Sequence, residues 1–99
     1  MTKRYKVNLT LLAQKDLDKI YYYIAADSVN NARNFILELE TRLYSLNVNP
    51  ERHPLISENA YFDTDYRHLI YKKYRIIYRI SEKTVFILRV IQGAMLLEV

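Results

Sequence analysis

Hydrophobic and polar residues alternate strictly at the start of the chain and then change to a helical period. Residues 4–9 place apolar and polar side chains on opposite sides in turn, which predicts a short, half-buried strand. From residue 11 to about residue 26 the apolar positions recur every three or four residues. This spacing predicts an amphipathic helix, and the Thr10 hydroxyl is well placed to cap its first turn.

A second apolar stripe with helical spacing follows Ser28, which can cap a helix in the same way. This helix is expected to end at Asn49-Pro50, because proline disfavours the helical conformation in the residue before it. The link between the two predicted helices is only a few residues long. We therefore expect the helices to form an antiparallel hairpin.

The second half of the chain returns to the strand period after a segment that shows neither pattern. Residues 50–63 contain both prolines and are predicted to form a loop. Three strands are predicted at 66–70, 74–80 and 85–91, with separators short enough for hairpins. The last residues, 94–99, are expected to form a short apolar tail.

The predicted order of elements, β-α-α-β-β-β, indicates a single α+β domain that spans residues 1–99. The arrangement that buries all the apolar stripes is a helical hairpin packed on one face of a mostly antiparallel, twisted sheet. We call the sheet face under the helices the helix face and the opposite one the outer face. The predicted helices leave the outer face open, so candidate functional residues are expected there.

Composition excludes several classes of site. The single glycine excludes a glycine-rich phosphate loop, and the absence of cysteine excludes disulfides and thiolate metal sites. Two histidines cannot build a three-histidine metal centre. No apolar run reaches the length of a membrane span, and none follows the basic start as in a signal peptide. We therefore expect a cytoplasmic protein that uses neither a metal nor a cofactor.

Positive charge is concentrated in one part of the chain. Residues 66–89 contain seven bases and one acid, whereas the formal net charge of the whole chain is +4. Such a segment favours an anionic partner, either a phosphate backbone or an acidic protein segment. The alternative is a solvated basic face that binds no partner.

The distribution of the basic side chains between the two sheet faces depends on one turn. A three-residue turn after the first of the three strands places Arg67 on the outer face with Arg75, whereas a two-residue turn separates them. We prefer the three-residue turn because it separates charged from apolar residues. The outer face is then predicted to carry Arg67, Arg75, Arg79 and Arg89 among Leu69, Ile77, Val85, Ile87 and Ile91. Arginines among aliphatic residues favour a protein-docking groove over a nucleic-acid groove.

Catalysis has weaker support than binding. Metal-free RNA cleavage requires a base, an acid and cations that stabilise the phosphorane. Arg67 and Arg75 can supply the charge, and Tyr71 is the only other titratable candidate on the predicted outer face. His68 is expected to pack on the helix face. The residues therefore favour a protein without catalytic activity, with a metal-independent endoribonuclease built on Arg67, Tyr71 and Arg75 as the alternative.

Nearly the full chain resembles the ParE/RelE toxin superfamily. The first helix is similar to that of ParE-type toxins in the pattern Ala13-x-x-Asp16-Leu17-x-x-Ile20-x-x-Tyr23-Ile24-Ala25. The central hairpin is similar in the pattern Asp65-Tyr66-Arg67-x-Leu69-x-Tyr71-x-x-Tyr74-Arg75-Ile76-Ile77-Tyr78-Arg79-Ile80. The last strand is similar in the pattern Val85-Phe86-Ile87-Leu88-Arg89-Val90.

The resemblance implies the toxin of a bacterial type II toxin–antitoxin system, of the kind that stabilises plasmids. It implies an antitoxin whose acidic, partly disordered segment wraps and neutralises the toxin. ParE-like members inhibit DNA gyrase without known catalytic residues of their own, whereas RelE-like members cleave mRNA in the ribosome. Contacts with the antitoxin or the target are expected from Arg67, Arg75, Arg79, Arg89, Ile77 and Ile87.

The resemblance is stronger to ParE than to RelE. Leu69 stands where RelE-like nucleases are expected to carry a lysine, and the C-terminal Tyr or His of the nucleases has no counterpart in residues 94–99. Many ParE relatives end the last strand with a His and place an Arg a few residues later. Gln92 and Met95 stand at these positions here, so a diverged toxin that has lost its activity is a further alternative.

Overall fold

The computed structural model describes residues 4–97 and confirms the α+β class and the predicted order of the main elements. The elements are β1 (Lys6–Leu9), α1 (Leu11–Ala25), α2 (Val29–Tyr44), 3₁₀ turns at Ser45–Asn47 and Pro50–Arg52, α3 (Asn59–Phe62), β2 (Arg67–Tyr71), β3 (Tyr74–Ser81) and β4 (Thr84–Gln92). Within residues 4–97, no helix combines the length and the apolar character that a membrane crossing requires.

Both predicted helix caps are formed. The Thr10 hydroxyl accepts a hydrogen bond from the backbone N–H of Ala13 at 3.3 Å, and the Ser28 hydroxyl accepts one from Asn31 at 3.2 Å. Each cap satisfies a donor of the first helical turn that has no partner within the helix. The second helix ends earlier than predicted, because the chain tightens into the 3₁₀ turn Ser45–Asn47 before it reaches Pro50.

The segment 50–63, predicted as a plain loop, contains a 3₁₀ turn and the short helix α3. One side-chain amide explains part of this order. The Asn59 amide nitrogen donates to the carbonyl of Tyr66 at 2.9 Å, and its oxygen accepts from the Tyr66 N–H at 3.1 Å and from the Thr64 hydroxyl at 2.6 Å. These bonds fold the segment back beside the start of β2, an arrangement that periodicity cannot reveal.

The strands form one sheet in the order β1-β4-β3-β2. The pairs β4–β3 and β3–β2 are antiparallel and β1 is parallel to β4, so the prediction of a mostly antiparallel sheet is confirmed. The first strand, β1, is short, and its four residues pair with residues 84–87 of β4. Among the described residues, no strand therefore pairs with β4 beyond Ile87 on the β1 side.

The main core lies between the helical hairpin and the helix face, as predicted. It contains the buried residues Ala13, Leu17, Ile20, Leu39, Leu43, Leu46, Leu69, Ile76, Tyr78, Val85, Ile87 and Val90. Tyr78 is fully buried, and its hydroxyl donates to the carbonyl of Pro50 at 2.5 Å. Burial raises the pKa of this phenol to about 12.

The outer face is less open than the sequence predicts. A second apolar cluster, made of Ile56, Ile77, Ile91 and Leu97, lies on it. The segment that precedes β2 and the residues that follow β4 supply Ile56 and Leu97, so both cover part of the sheet. These contacts decide which of the predicted outer-face residues are accessible.

Candidate functional site

The turn between β2 and β3 corrects the predicted position of Arg67. The turn has two residues, and the first of them, Lys72, has a φ of 52°. A positive φ is typical of two-residue hairpin turns, because the backbone twist of such turns matches the twist of the flanking strands. The resulting register pairs Arg67 with Tyr78, which places Arg67 on the helix face and leaves Arg75 on the outer face. The prediction of a three-residue turn was wrong.

Arg67, Leu69 and Tyr71 of β2 were predicted on the outer face, but their contacts are on the helix side of the sheet. Arg67 donates to the carbonyls of Glu51 and His53, at 3.2 and 2.7 Å, and so ties the segment after α2 to the sheet. Leu69 belongs to the main core. The Tyr71 hydroxyl donates to the Glu38 carboxylate of α2. None of these three side chains faces the same side as Arg75.

Arg75 lies on the outer face as predicted, but it is buried. Its Nη1 and Nη2 donate to Oε1 and Oε2 of Glu58 at 3.3 and 2.5 Å, and both side chains are less than a tenth exposed. Glu58 Oε2 also accepts from the backbone N–H of Leu97 at 2.9 Å. One carboxylate therefore joins β3, the segment before β2 and the segment after β4.

This ion pair changes the acid–base behaviour of Glu58. The hydrogen bonds from Arg75 outweigh the opposing effect of burial and lower the pKa of the Glu58 carboxyl from 4.5 to about 2. The carboxylate is therefore charged at any physiological pH. The Arg75 guanidinium is therefore paired with the Glu58 carboxylate of the same chain.

His68 lies on the outer face beside Arg75, not on the helix face as predicted. Its Nδ1 is 3.4 Å from Nη1 of Arg75. Burial and the charge of Arg75 lower the pKa of the imidazole, against the weaker opposing effect of Glu58. The correction has the same cause as that for Arg67, since a one-residue change in a turn moves every side chain of the strand to the other face.

A β-bulge in β4 corrects two further placements. Ile77 pairs with Arg89 and the next residue, Tyr78, pairs with Ile87, which leaves Leu88 as an extra residue. The alternation therefore shifts within β4, and both Val85 and Ile87 lie in the main core with no exposed surface. Ile77 is on the outer face but is also fully buried.

Arg89, next to the bulge, binds a carboxylate of α1. Its Nε donates to Oδ2 of Asp16 at 2.7 Å and its Nη2 donates to Oδ1 at 3.0 Å. Asp16 Oδ2 also accepts from the backbone N–H of Val90 at 2.9 Å. Asp16 thus satisfies a donor of β4 on the side that β1 does not reach, and it fixes Arg89 beside it.

Arg79 lies on the outer face as predicted, and the structure shows no carboxylate bound to it within residues 4–97. Its guanidinium lies over the ring of Phe86, 4.4 Å from the ring centroid. Phe86 is its cross-strand neighbour in β4. Stacking holds the arginine in place while its donors remain available to a partner.

A groove runs between α1 and the part of β4 that follows Ile87, which β1 does not reach. We call it the α1–β4 groove; it has a volume of about 380 Å³. Its lining residues are Asp16, Lys19, Ile20 and Tyr23 of α1, Arg89 to Gln92 of β4, and Tyr74 and Met95. Gln92 and Met95, the two departures from the ParE pattern, therefore both contribute to this groove.

Sequence reasoning missed the importance of Glu58, Asp16, Lys19 and Tyr23. Asp16 and Lys19 lie between the apolar positions of α1, where charged residues are typical of a solvated helix face. Asp16, Lys19 and Tyr23 nevertheless recur every three or four residues and so share one side of α1. Glu58 lies in a segment without periodicity, so no pattern indicated that it binds Arg75. Among residues 4–97, no group of three or more His, Asp or Glu residues is arranged to hold a metal ion.

The comparisons with known proteins agree with this architecture. Over 91% of this chain and 97% of the other, the structure is similar to a protein of the chromosomal ParDE toxin–antitoxin system from P. aeruginosa, with a TM-score of 0.72 and 18% identity. It is also similar to a chain of the RelBE2 toxin–antitoxin complex from Mycobacterium tuberculosis, with a TM-score of 0.57 and 30% identity over 93% of this chain and 94% of the other. No curated protein matches the sequence significantly.

The family assignment follows from the sequence as well. Residues 7–97 match the family model described as the ParE toxin of the type II toxin–antitoxin system parDE. The match begins within β1 and extends past the end of β4. The chain is therefore a member of the ParE toxin family of type II toxin–antitoxin systems.

Proposed function

We propose that this ParE-type toxin acts in the cytoplasm by binding and inhibiting DNA gyrase, without catalysis of its own. The observation that carries the proposal is the separation of Arg75 from Arg67 and Tyr71, the two residues that a nuclease would use with it. Arg67 and Arg75 lie on opposite faces of the sheet, and the Tyr71 hydroxyl is bonded to Glu38. Side chains so arranged cannot converge on one phosphate and its leaving group.

We further propose that an antitoxin with an acidic, partly disordered segment neutralises the toxin. The basic stretch of residues 66–89 supports such a partner, because exposed lysines and Arg79 can attract carboxylates. Among the six contact residues predicted from the sequence, Arg79 is the best candidate contact on the outer face. Arg67, Arg75, Ile77 and Ile87 are held within the structure.

The gyrase proposal predicts a direct effect in a purified system. The toxin is expected to stop gyrase from supercoiling a relaxed plasmid, because binding alone is sufficient for this inhibition. The same toxin, mixed first with its antitoxin, is expected to leave supercoiling intact. The measurement is the fraction of supercoiled plasmid on an agarose gel. Unchanged supercoiling with a large excess of folded toxin would contradict the proposal.

A ribosome-dependent mRNA endonuclease is the second candidate, favoured by the 30% identity to a chain of the RelBE2 complex. It would need Arg67, Tyr71 and Arg75 to act together, or other residues to take their roles. Translating ribosomes incubated with the toxin, followed by primer extension on the mRNA, separate the two candidates. Cleavage that appears only with ribosomes would favour the nuclease.

A further inference from the structure

We propose that His68 is a proton-sensitive switch in the cover of the outer face: the neutral imidazole keeps the cover closed, and protonation loosens it. The cover consists of residues 53–58, which run beside the start of β2, and of residues 93–97, which follow β4. Hydrogen bonds join four groups, which we call the outer-face network: His68, Arg75, Glu58 and the Leu97 N–H. The switch does not depend on which target the toxin inhibits.

The contact between His68 and Arg75 requires a neutral imidazole. Nδ1 of His68 lies 3.4 Å from Nη1 of Arg75. A guanidinium has only donors, so Nδ1 accepts through its lone pair and the ring proton lies on Nε2. Protonation of Nδ1 replaces this hydrogen bond with two opposed N–H donors and two positive charges. The hydrogen bond therefore exists only in the neutral state of His68.

Arg75 links the imidazole to the cover. Its Nη1 contacts both His68 and Oε1 of Glu58, and its Nε is buried without a hydrogen-bond partner within residues 4–97. The Glu58 carboxylate binds the guanidinium and the Leu97 N–H together, so a displaced guanidinium disturbs the bond that holds Leu97. A loosened cover exposes Ile77 and Ile91, which it buries when closed. Acid thereby changes the surface that a partner meets.

His53, the other histidine of the chain, adds to the same effect. It precedes Pro54, whose carbonyl accepts from the His68 N–H at 3.2 Å, and its ring stands edge-on to that of Tyr78. His53 Nε2 is buried and has no hydrogen-bond partner in the part of the chain that the structure describes. An imidazolium donates from both nitrogens, so protonation would bury an N–H without an acceptor. Burial, Arg52 and His68 together lower the pKa of His53.

The groups that face His68 favour its neutral state. Arg75 of β3 and burial lower the pKa of the imidazole, and Glu58 of the cover opposes them with a smaller effect. His53 of the cover carries no negative charge in either of its states. Residues 93–97 contain no charged side chain. No group of the cover other than Glu58 therefore stabilises an imidazolium at this position within residues 4–97.

The direction of the pH dependence follows from the two histidines. The folded-state pKa of each lies below the ordinary value of 6.5, so the opened chain takes up protons first as the pH falls. The closed cover is therefore fully stable only above pH 6.5 and loses stability below it. Glu58 keeps its charge in this range, because its pKa is about 2.

Hydrogen exchange in the isotope-labelled, full-length toxin tests the switch at the Leu97 N–H, which Glu58 binds. The protection factor, corrected for the intrinsic exchange rate, is measured by NMR between about pH 5 and pH 8, where histidine titrates. It is expected to fall below pH 6.5, by at most about tenfold per pH unit for each histidine that takes up a proton. A protection factor that does not change with pH would overturn the proposal.

His68→Asn is the matched variant, because its amide oxygen can accept from Arg75 in place of Nδ1 but cannot be protonated. It is expected to lose the part of the pH dependence that belongs to His68. His53→Asn is expected to remove a separate part, and the double variant should show a nearly flat profile. Thermal melts by circular dichroism at neutral pH confirm that the variants fold. The same profile for the wild type and His68→Asn would assign the effect to another group and overturn the proposal.

The imidazole signals of the wild type provide a measurement that needs no variant. An NMR titration gives the pKa of His68 directly, and we expect it below 6.5. The same titration is expected to shift the amide signal of Leu97, since the outer-face network joins the two residues. A His68 that titrates at or above 6.5, or one whose titration leaves the Leu97 signal in place, would overturn the proposal.

Discussion

Replacing Glu58 with alanine is expected to lower the free energy of unfolding by about 3 to 5 kcal/mol, the usual loss when one partner of a buried ion pair is removed. The variant leaves the Arg75 guanidinium buried without its carboxylate, and the N–H of Leu97 loses its acceptor. Such a loss is a large part of the stability of a domain this small. Urea denaturation followed by circular dichroism measures it.

The matched control is Asp65→Ala, because Asp65 is an exposed acid close to Glu58 in the chain. We expect this control to change the free energy of unfolding by less than about 0.5 kcal/mol, as is usual at the surface. Similar losses for the two variants would contradict the role assigned to Glu58.

The same carboxylate predicts how stability depends on pH. The folded-state pKa of Glu58 is about 2 and its ordinary value is 4.5, so the ion pair contributes fully above pH 4.5 and its contribution is lost as the pH falls towards 2. Within that range the wild type should lose about 1.4 kcal/mol per pH unit from this group alone. A Glu58→Gln variant is expected to lack this part of the slope. Parallel slopes for the two proteins would show that Glu58 is not the group that titrates.

Asp16→Ala is expected to lower the free energy of unfolding by about 2 to 4 kcal/mol. The carboxylate accepts two hydrogen bonds from Arg89 and one from the N–H of Val90, and all three are lost. The Val90 donor lies in the part of β4 that β1 does not reach, so no backbone group of β1 replaces the carboxylate. Thermal denaturation gives the shift in midpoint.

Two variants of α1 separate this effect from general damage to the helix. Asp16→Asn is expected to fall between the wild type and Asp16→Ala, because the amide oxygen can still accept the Val90 hydrogen bond but carries no charge for Arg89. Asp18→Ala is the surface control, since Asp18 is exposed and, within residues 4–97, accepts a hydrogen bond from Gln14. If Asp16→Ala were no more destabilised than Asp18→Ala, the bonds to Arg89 and Val90 would contribute nothing measurable.

The sequence predicted the elements well because each has a local cause. The helices follow from apolar periodicity and from Thr10 and Ser28, whose hydroxyls form the expected caps. The strands follow from alternation, and the short links between them predict neighbours in the sheet. All of these signals act within a few residues of one another, so a single sequence is sufficient to reveal them.

The faces of the strands were harder to predict, because each depends on a change of one residue. The two-residue turn at Lys72 moved Arg67 to the helix face and His68 to the outer face. The bulge at Leu88 moved Ile87 into the main core. Neither feature changes the composition of the strand, yet each reverses which side chains a partner can reach.

The partners of the charged residues could not be predicted at all. Arg75 was expected to bind a partner protein, and it binds Glu58, which is 17 residues away in the chain. Arg89 binds Asp16, which is 73 residues away in the chain. Contacts of this kind depend on the folded arrangement of distant segments, and the pattern of charge along the chain carries no information about them.

The rate of DNA synthesis after induction of the toxin in antitoxin-free bacterial cells tests the central claim most directly. Incorporation of labelled thymidine and of labelled methionine is followed separately in the same culture. A Leu43→Asp variant, which places a charge in the main core and is not expected to fold, controls for the burden of expression. Inhibition of gyrase predicts that thymidine incorporation stops first and that the cells form filaments. Methionine incorporation that stops first would contradict the account and favour a ribosome-dependent nuclease.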